Sequence, residues 1–120
     1  MRTAQQLFDT VATHLRMQAG VCADVEGLCR YRGIDDDTKC AVGALIPNEV
    51  YRPDMEKKGV SALISSGLLP AGLSEEFSTN IELLNRLQGI HDSYPIDRWE
   101  EQLARAAREH QLQYTPPEKP

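Results

Sequence analysis

Residues 29–56 read CRYRGIDDDTKCAVGALIPNEVYRPDME, and the folding of this stretch decides whether the chain is purely helical or mixed. Residues 28–32 alternate apolar and long polar side chains around Tyr31, a β-favouring residue. Residues 33–38, GIDDDT, form a turn: glycine tolerates positive φ, and the aspartates bond their own backbone. Residues 39–46, KCAVGALI, are short and mostly apolar, which predicts a second strand partly buried on both faces. Pro47 then ends the ladder, having no N–H to donate. The stretch therefore predicts a β-hairpin that sets Cys29 nearly opposite Cys40. Gly43 inside a strand marks a bulge, or a place where another backbone or a ligand comes close. Residues 48–51 read as one helical turn, and Pro53 opens a second over residues 54–57.

Helices flank this segment. Residues 3–18 carry Ala4, Leu7, Phe8, Val11, Ala12 and Leu15 on one apolar face, and Thr3 with Gln6 makes a capping box. Gly20 fits its C-cap, and His14 lies one position off the stripe. Residues 59–67 predict a short helix closed by Gly67, and residues 70–72 a turn, with another helical turn possible from Ser74. Thr79 or Asn80 caps a helix over residues 81–91, with Ile81, Leu84, Leu87 and His91 on one stripe and Leu83 and Ile90 beside it. Gly89 in that helix predicts tight packing or a frayed end, because glycine there is costly. After Pro95, the residues Ile96, Trp99, Leu103, Ala106, Ala107 and His110 predict the inner face of a last helix. The expected fold class is α+β and predominantly helical, about four main helices packed on a small β-hairpin. Residues 1–112 form one compact domain, and the polar, proline-rich residues 113–120 a disordered tail.

Composition narrows the function. The 120 residues carry a net charge of −5, an acidic balance that disfavours wrapping duplex nucleic acid. No apolar run approaches the length of a membrane span, and the expected location is the cytoplasm. Three cysteines with no short repeat spacing predict thiols in place of a disulfide framework.

Few residues point to bond-making chemistry. Structural zinc calls for paired ligands two to four residues apart, and neither Cys22, Cys29 and Cys40 nor the histidines show such pairs. Arg30 follows Cys29 and Lys39 precedes Cys40, but adjacent strand residues face opposite ways, so these cations do not activate the sulfurs. His91-Asp92 suggests a metal-dependent hydrolase, yet only His14 and His110 remain to complete a ligand set. Asp35, Asp36 and Asp37 read as solvated turn residues. No catalytic residue, metal ligand or cofactor is assigned. The candidate ligand- or partner-binding set is Arg30, Tyr31, Arg32, Lys39, Tyr51, Arg52, His91 and Asp92. Arginine forks and tyrosines suit a small anion or an acidic protein patch. The blander reading of Arg30 and Arg32 is that they solvate an edge strand.

The segment C-x-Y-R-G…K-C-A-V-G-A-L-I-P-N-x-x-Y-x-P-x-M-E, with FDTVATHLRMQAG before it and LNRLQGIHDS…W after it, resembles a family of small, mostly uncharacterised bacteriophage and prophage proteins. The resemblance spans residues 1–112. Asn48 stands where family members more often carry aspartate, and Lys57-Lys58 where a glycine is usual. The resemblance implies phage origin and no mechanism. Small acidic phage accessory proteins without catalytic motifs act by binding a host component. The expectation is thus non-covalent binding that inhibits or modulates host antiviral defence, with a host protein or a small anionic signalling nucleotide as target. The rivals are a small metal-dependent hydrolase using His91 and Asp92, and a structural or oligomeric assembly protein.

Overall fold

A computed structural model describes residues 2–18, 31, 39–56 and 58–114. Among the described residues there are five α-helices and no strand: α1 (Ala4–Gln18), α2 (Val60–Ser65), α3 (Ala71–Thr79), α4 (Ile81–Ser93) and α5 (Trp99–Glu109). Single 3-10 turns occupy Gly43–Leu45, Pro53–Met55 and Ile96–Arg98. The α+β expectation is therefore corrected to an α fold. Residues 39–46, expected as the second strand, wind into a turn and the 3-10 turn Gly43–Leu45. The Ala44 N–H donates to Cys40 O, and the Leu45 N–H to Val42 O. Apart from Tyr31, the first strand and its turn lie outside the described residues, as do Arg30 and Arg32.

Helix α1 starts as its sequence directs. The Thr3 N–H donates to Gln6 Oε1 at 2.9 Å, and the Gln6 N–H to Thr3 Oγ1 at 3.1 Å, so both halves of the capping box form. Leu7, Phe8, Val11, Ala12 and Leu15 are buried. Gly67 closes α2 with φ of +78°, the left-handed conformation that follows many helix ends. Helix α3 begins directly after Pro70, where a turn was expected, because a proline at the helix entry loses no bond. Asn80 joins α3 to α4, but its side chain turns back: Nδ2 donates to Glu76 O at 2.9 Å and does not cap α4.

Helix α4 is the hub. It packs on α1, α2, α3 and α5, burying Leu83, Leu84, Leu87, Ile90 and His91. Each such leucine or isoleucine contributes roughly 1.5–3 kcal/mol through removal from water. The turn Gly43–Leu45 lies against α1 and places Ala41, Val42, Leu45 and Ile46 in the same core. Trp99 anchors α5 and donates Nε1–H to Tyr94 O at 2.9 Å. Ile96, expected on the inner face, is instead 46% exposed, since it belongs to the turn before α5.

The first and last described segments meet. Arg2 bonds both carboxylate oxygens of buried Glu76 and donates Nη2–H to Leu45 O. Gln5 Nε2 donates to Gln113 O, and the Gln113 N–H donates to Gln5 Oε1, both at 2.9 Å. The Tyr114 ring stands edge-on to Phe8, its hydroxyl donates to Glu100, and Arg16 lies over its face. Gln113 and Tyr114 are thus bonded to α1 and α5, while residues 115–120 lie outside the described residues. Among the described residues, no helix is long and apolar enough to cross a membrane.

Candidate functional site

Tyr31 meets three separate parts of the fold. Its hydroxyl donates to Lys58 O, and its N–H donates to Glu56 Oε1 at 2.8 Å. Its carbonyl lies against Gly43, where a Cβ would stand 2.2 Å from the oxygen. Of the two readings of Gly43, bulge or close approach, the second matches this contact. The side chain is buried. Burial comes first among the causes that push the Tyr31 phenol above its ordinary value, joined by nearby Cys40, Glu56 and Asp92. The phenol therefore remains a neutral donor at physiological pH.

Beneath Tyr31 opens a cavity of about 390 Å³. Tyr31 and Cys40 form one wall. Glu56, Lys58, Gly59 and Val60 form a second. Asn85, Gln88, Gly89 and Asp92 line the third from one face of α4, at the three-four spacing of a helix. The polar groups are cross-linked. Gln88 accepts from the Val42 N–H at 3.0 Å and donates to Asp92 Oδ1 at 2.9 Å. Glu56 also accepts from the Tyr51 hydroxyl. Buried Cys40 accepts from the Gly43 N–H at 3.2 Å, a weak bond to sulfur that holds the turn.

His91 sits behind this wall. Its ring is buried, stacks on Trp99 with centroids 5.8 Å apart, and places Nδ1 2.7 Å from Asp92 Oδ1. The Nδ1–H thus faces the carboxylate and orients Asp92 toward the cavity side of α4. Among the described residues, no three His, Cys, Asp or Glu side chains converge on a point where a cation would sit.

The expected binding set is split by the fold. Tyr31 and Asp92 line the cavity, His91 backs it, and Tyr51 supports Glu56. Lys39 is elsewhere: its N–H donates to Gln18 Oε1, its carbonyl accepts from Gln18 Nε2, and it lines a separate hollow with His14 and Met17. Arg52 is exposed and is not among the residues of the cavity wall. Arg30 and Arg32 lie outside the described residues. Neither of the two described cations of the set, Lys39 and Arg52, lines the cavity with Tyr31.

The residues missed in the sequence are Glu56, Asn85, Gln88 and Gly89. Asn85, Gln88 and Gly89 share one face of the helix predicted over residues 81–91, which was a readable signal, and Asp92 joins that face because α4 runs on to Ser93. Glu56 was not readable as a partner of Tyr31. Gly89 is unexplained by packing. It lies four residues inside the end of α4 at Ser93, and no atom of a described residue comes within 4 Å of a Cβ built there. It is neither tightly packed among the described residues nor at a helix end, yet it costs α4 about 1 kcal/mol relative to alanine.

Scanned against protein-family models, curated proteins and solved structures, the chain matches none of them.

Proposed function

We propose that this chain acts by non-covalent binding, as a phage-type accessory protein that modulates or inhibits a host antiviral defence pathway. The reading draws on the resemblance to phage proteins and on one structural observation, the cavity under Tyr31. A few hundred cubic ångströms with mixed apolar and convergent polar walls is the usual form of a binding site. The polar face of α4 supplies it with side chains already held in place by Gln88 and His91.

A host protein is a better target than a nucleotide. Among the described residues, the charged groups lining the cavity are Glu56, Asp92 and Lys58, and a phosphate beside them would meet two carboxylates. The hydrolase reading gains no support from His91, whose ring is enclosed by packing against Trp99.

The test is capture from host lysate on the immobilised full chain, with mass spectrometry of proteins and of extracted small molecules. A host protein retained by the wild type and lost by Gly89→Leu, which projects a side chain into the cavity, supports the reading. Equal retention by both chains moves the site elsewhere, and retention of nothing by either overturns it.

A further inference from the structure

Helix α5 ends without a glycine. Its last turn closes in the hydrogen-bond pattern that glycine usually completes: the Gln111 N–H donates to Arg108 O at 3.2 Å, and the Leu112 N–H to Ala107 O at 2.7 Å. Gln111 takes the left-handed position of that pattern, with φ of +58°. Among the described residues it is the one non-glycine with a positive φ. A residue with a Cβ is strained there. The reversal carries Gln113 and Tyr114 back onto α1.

What receives them has the form of a seat for extended chain. Gln5 on α1 donates Nε2–H to Gln113 O and accepts from the Gln113 N–H, so its carboxamide reads main chain. Asp9, one turn further along α1, accepts from the same Nε2 at 2.8 Å and holds the carboxamide in that orientation. The next residue is held by its side chain: the Tyr114 ring stands edge-on to Phe8 under Arg16, and its hydroxyl donates to Glu100 of α5. Gln113 and its two hydrogen bonds to Gln5 are exposed. Contacts of this kind open at low free energy. Gln113 and Tyr114 thus form a strap laid on a surface seat and joined to α5 through one strained residue.

We infer that this seat takes Gln113 and Tyr114 of a second copy of the chain in exchange for its own, giving a strap-exchanged dimer. The second copy carries the segment that the seat already fits, so every contact is remade in trans. Exchange also returns Gln111 to a negative φ in both copies, a relief that the closed monomer lacks. A short tether holds its segment at an effective concentration of about 1 mM, and relief of about fivefold at each of the two hinges places the dissociation constant near about 40 µM. The exchange is independent of the cavity under Tyr31 and of the role proposed for it.

The experiment is analytical ultracentrifugation of the full chain from about 5 to about 500 µM, a range that brackets this constant. The wild type is expected to pass from monomer to dimer across it. Gln111→Gly holds the left-handed conformation without strain, and its dimer is expected to be about 25-fold weaker. Gln111→Pro, whose ring fixes a negative φ, is expected to dimerise about tenfold more tightly or better. The glycine variant carries the test if the proline chain does not fold. Tyr114→Ala, with no ring to exchange, is expected to stay monomeric. Mixed with dye-labelled Gln5→Ala it is expected to form a heterodimer, in which an intact strap meets an intact seat. A wild type that stays monomeric throughout, a dimer equally tight in Gln111→Gly, or a mixture without heterodimer overturns the inference. If a synthetic peptide of residues 111–116 binds the Tyr114→Ala chain while the wild type forms no dimer, the seat serves foreign segments, and its assignment to a second copy is overturned.

Discussion

The carbonyl of Tyr31 rests against the Cα of Gly43, so close that a side chain at position 43 would begin 2.2 Å from the oxygen. Real Cβ atoms do not approach backbone oxygen so nearly, and the obstacle here is main chain, which cannot rotate aside. Gly43→Ala must push Tyr31 away from the turn Gly43–Leu45 or unwind that turn. The expected loss is about 1–3 kcal/mol, the usual cost of overpacking, measured by urea unfolding. A fall in Tyr31 burial should accompany it, visible as a change in tyrosine absorbance. An alanine variant as stable as the wild type would remove Tyr31 from its place beside the cavity.

Arg2 and Glu76 join the start of the chain to α3. The Arg2 N–H donates to Glu76 Oε2 at 2.7 Å, and the guanidinium takes both carboxylate oxygens. Burial alone would raise Glu76, but the hydrogen bonds and charge of Arg2 outweigh it and hold the carboxyl below its usual value. A carboxylate lowered in the folded state stabilises the fold above its unfolded pKa, near 4.3, and loses that contribution as pH falls through the folded pKa. Arg2→Ala is expected to cost about 2 kcal/mol at pH 7, between the values for exposed and buried pairs. The gap from wild type should shrink below about pH 4, where the abandoned carboxylate takes a proton. Unfolding curves at pH 7 and pH 3.5 check both statements, and a gap that is constant with pH would contradict them.

Tyr114 closes the chain onto α1. Its ring contacts buried Phe8, its hydroxyl donates to Glu100, and Arg16 both covers the ring and bonds Glu100 at 3.1 Å. Removing the ring should cost more than removing the hydroxyl, because the Phe8 and Arg16 contacts belong to the ring. Tyr114→Phe is expected to lose about 1 kcal/mol and Tyr114→Ala about 2 kcal/mol. Hydrogen exchange at the start of α1 should quicken in the alanine variant alone. Identical exchange in the two variants would place the clasp in the hydroxyl.

Trp99 holds α5 against α4 through one hydrogen bond to Tyr94 O and one stack on His91. Trp99→Phe keeps an aromatic ring and loses the bond, an expected cost of about 1 kcal/mol plus the smaller contact area. Trp99→Ala is expected to cost about 3–5 kcal/mol. Chemical denaturation of both variants measures the ratio. Equal losses would mean that the stacking contributes nothing.

Where pairs of residues lie within one helical turn, the sequence was legible. Thr3 with Gln6 and the α1 and α4 stripes each rest on contacts between residues three or four apart, so no distant partner is needed to read them. The segment 39–46 was misread for a physical reason. A short, wholly apolar run has no period that separates a buried strand from a buried turn, and its packing against α1 decided for the turn. Ile96 was misplaced similarly: the periodic pattern counts residues 96–98 with the last helix, whereas they form a separate 3-10 turn ahead of α5 that leaves Ile96 exposed. The candidate site divided along the same line. Its α4 face follows helical spacing, whereas Tyr31 and Glu56 reach it only across long sequence separations. Within the cationic set, Lys39 bonds Gln18 of α1, a partner that its nearness to Tyr31 in sequence does not reveal.

The amino-acid sequence by itself determined the principal helices, their inward faces and the capping of the first, since those follow from spacing and propensity along a few residues of chain. Tertiary structure alone decided that residues 39–46 coil, that Tyr31 is wedged between Gly43, Glu56 and Lys58, and that a cavity is left beneath it. Those outcomes depend on which buried surfaces meet, and burial free energy is set by area removed from water across the whole fold, with no dependence on order along the chain.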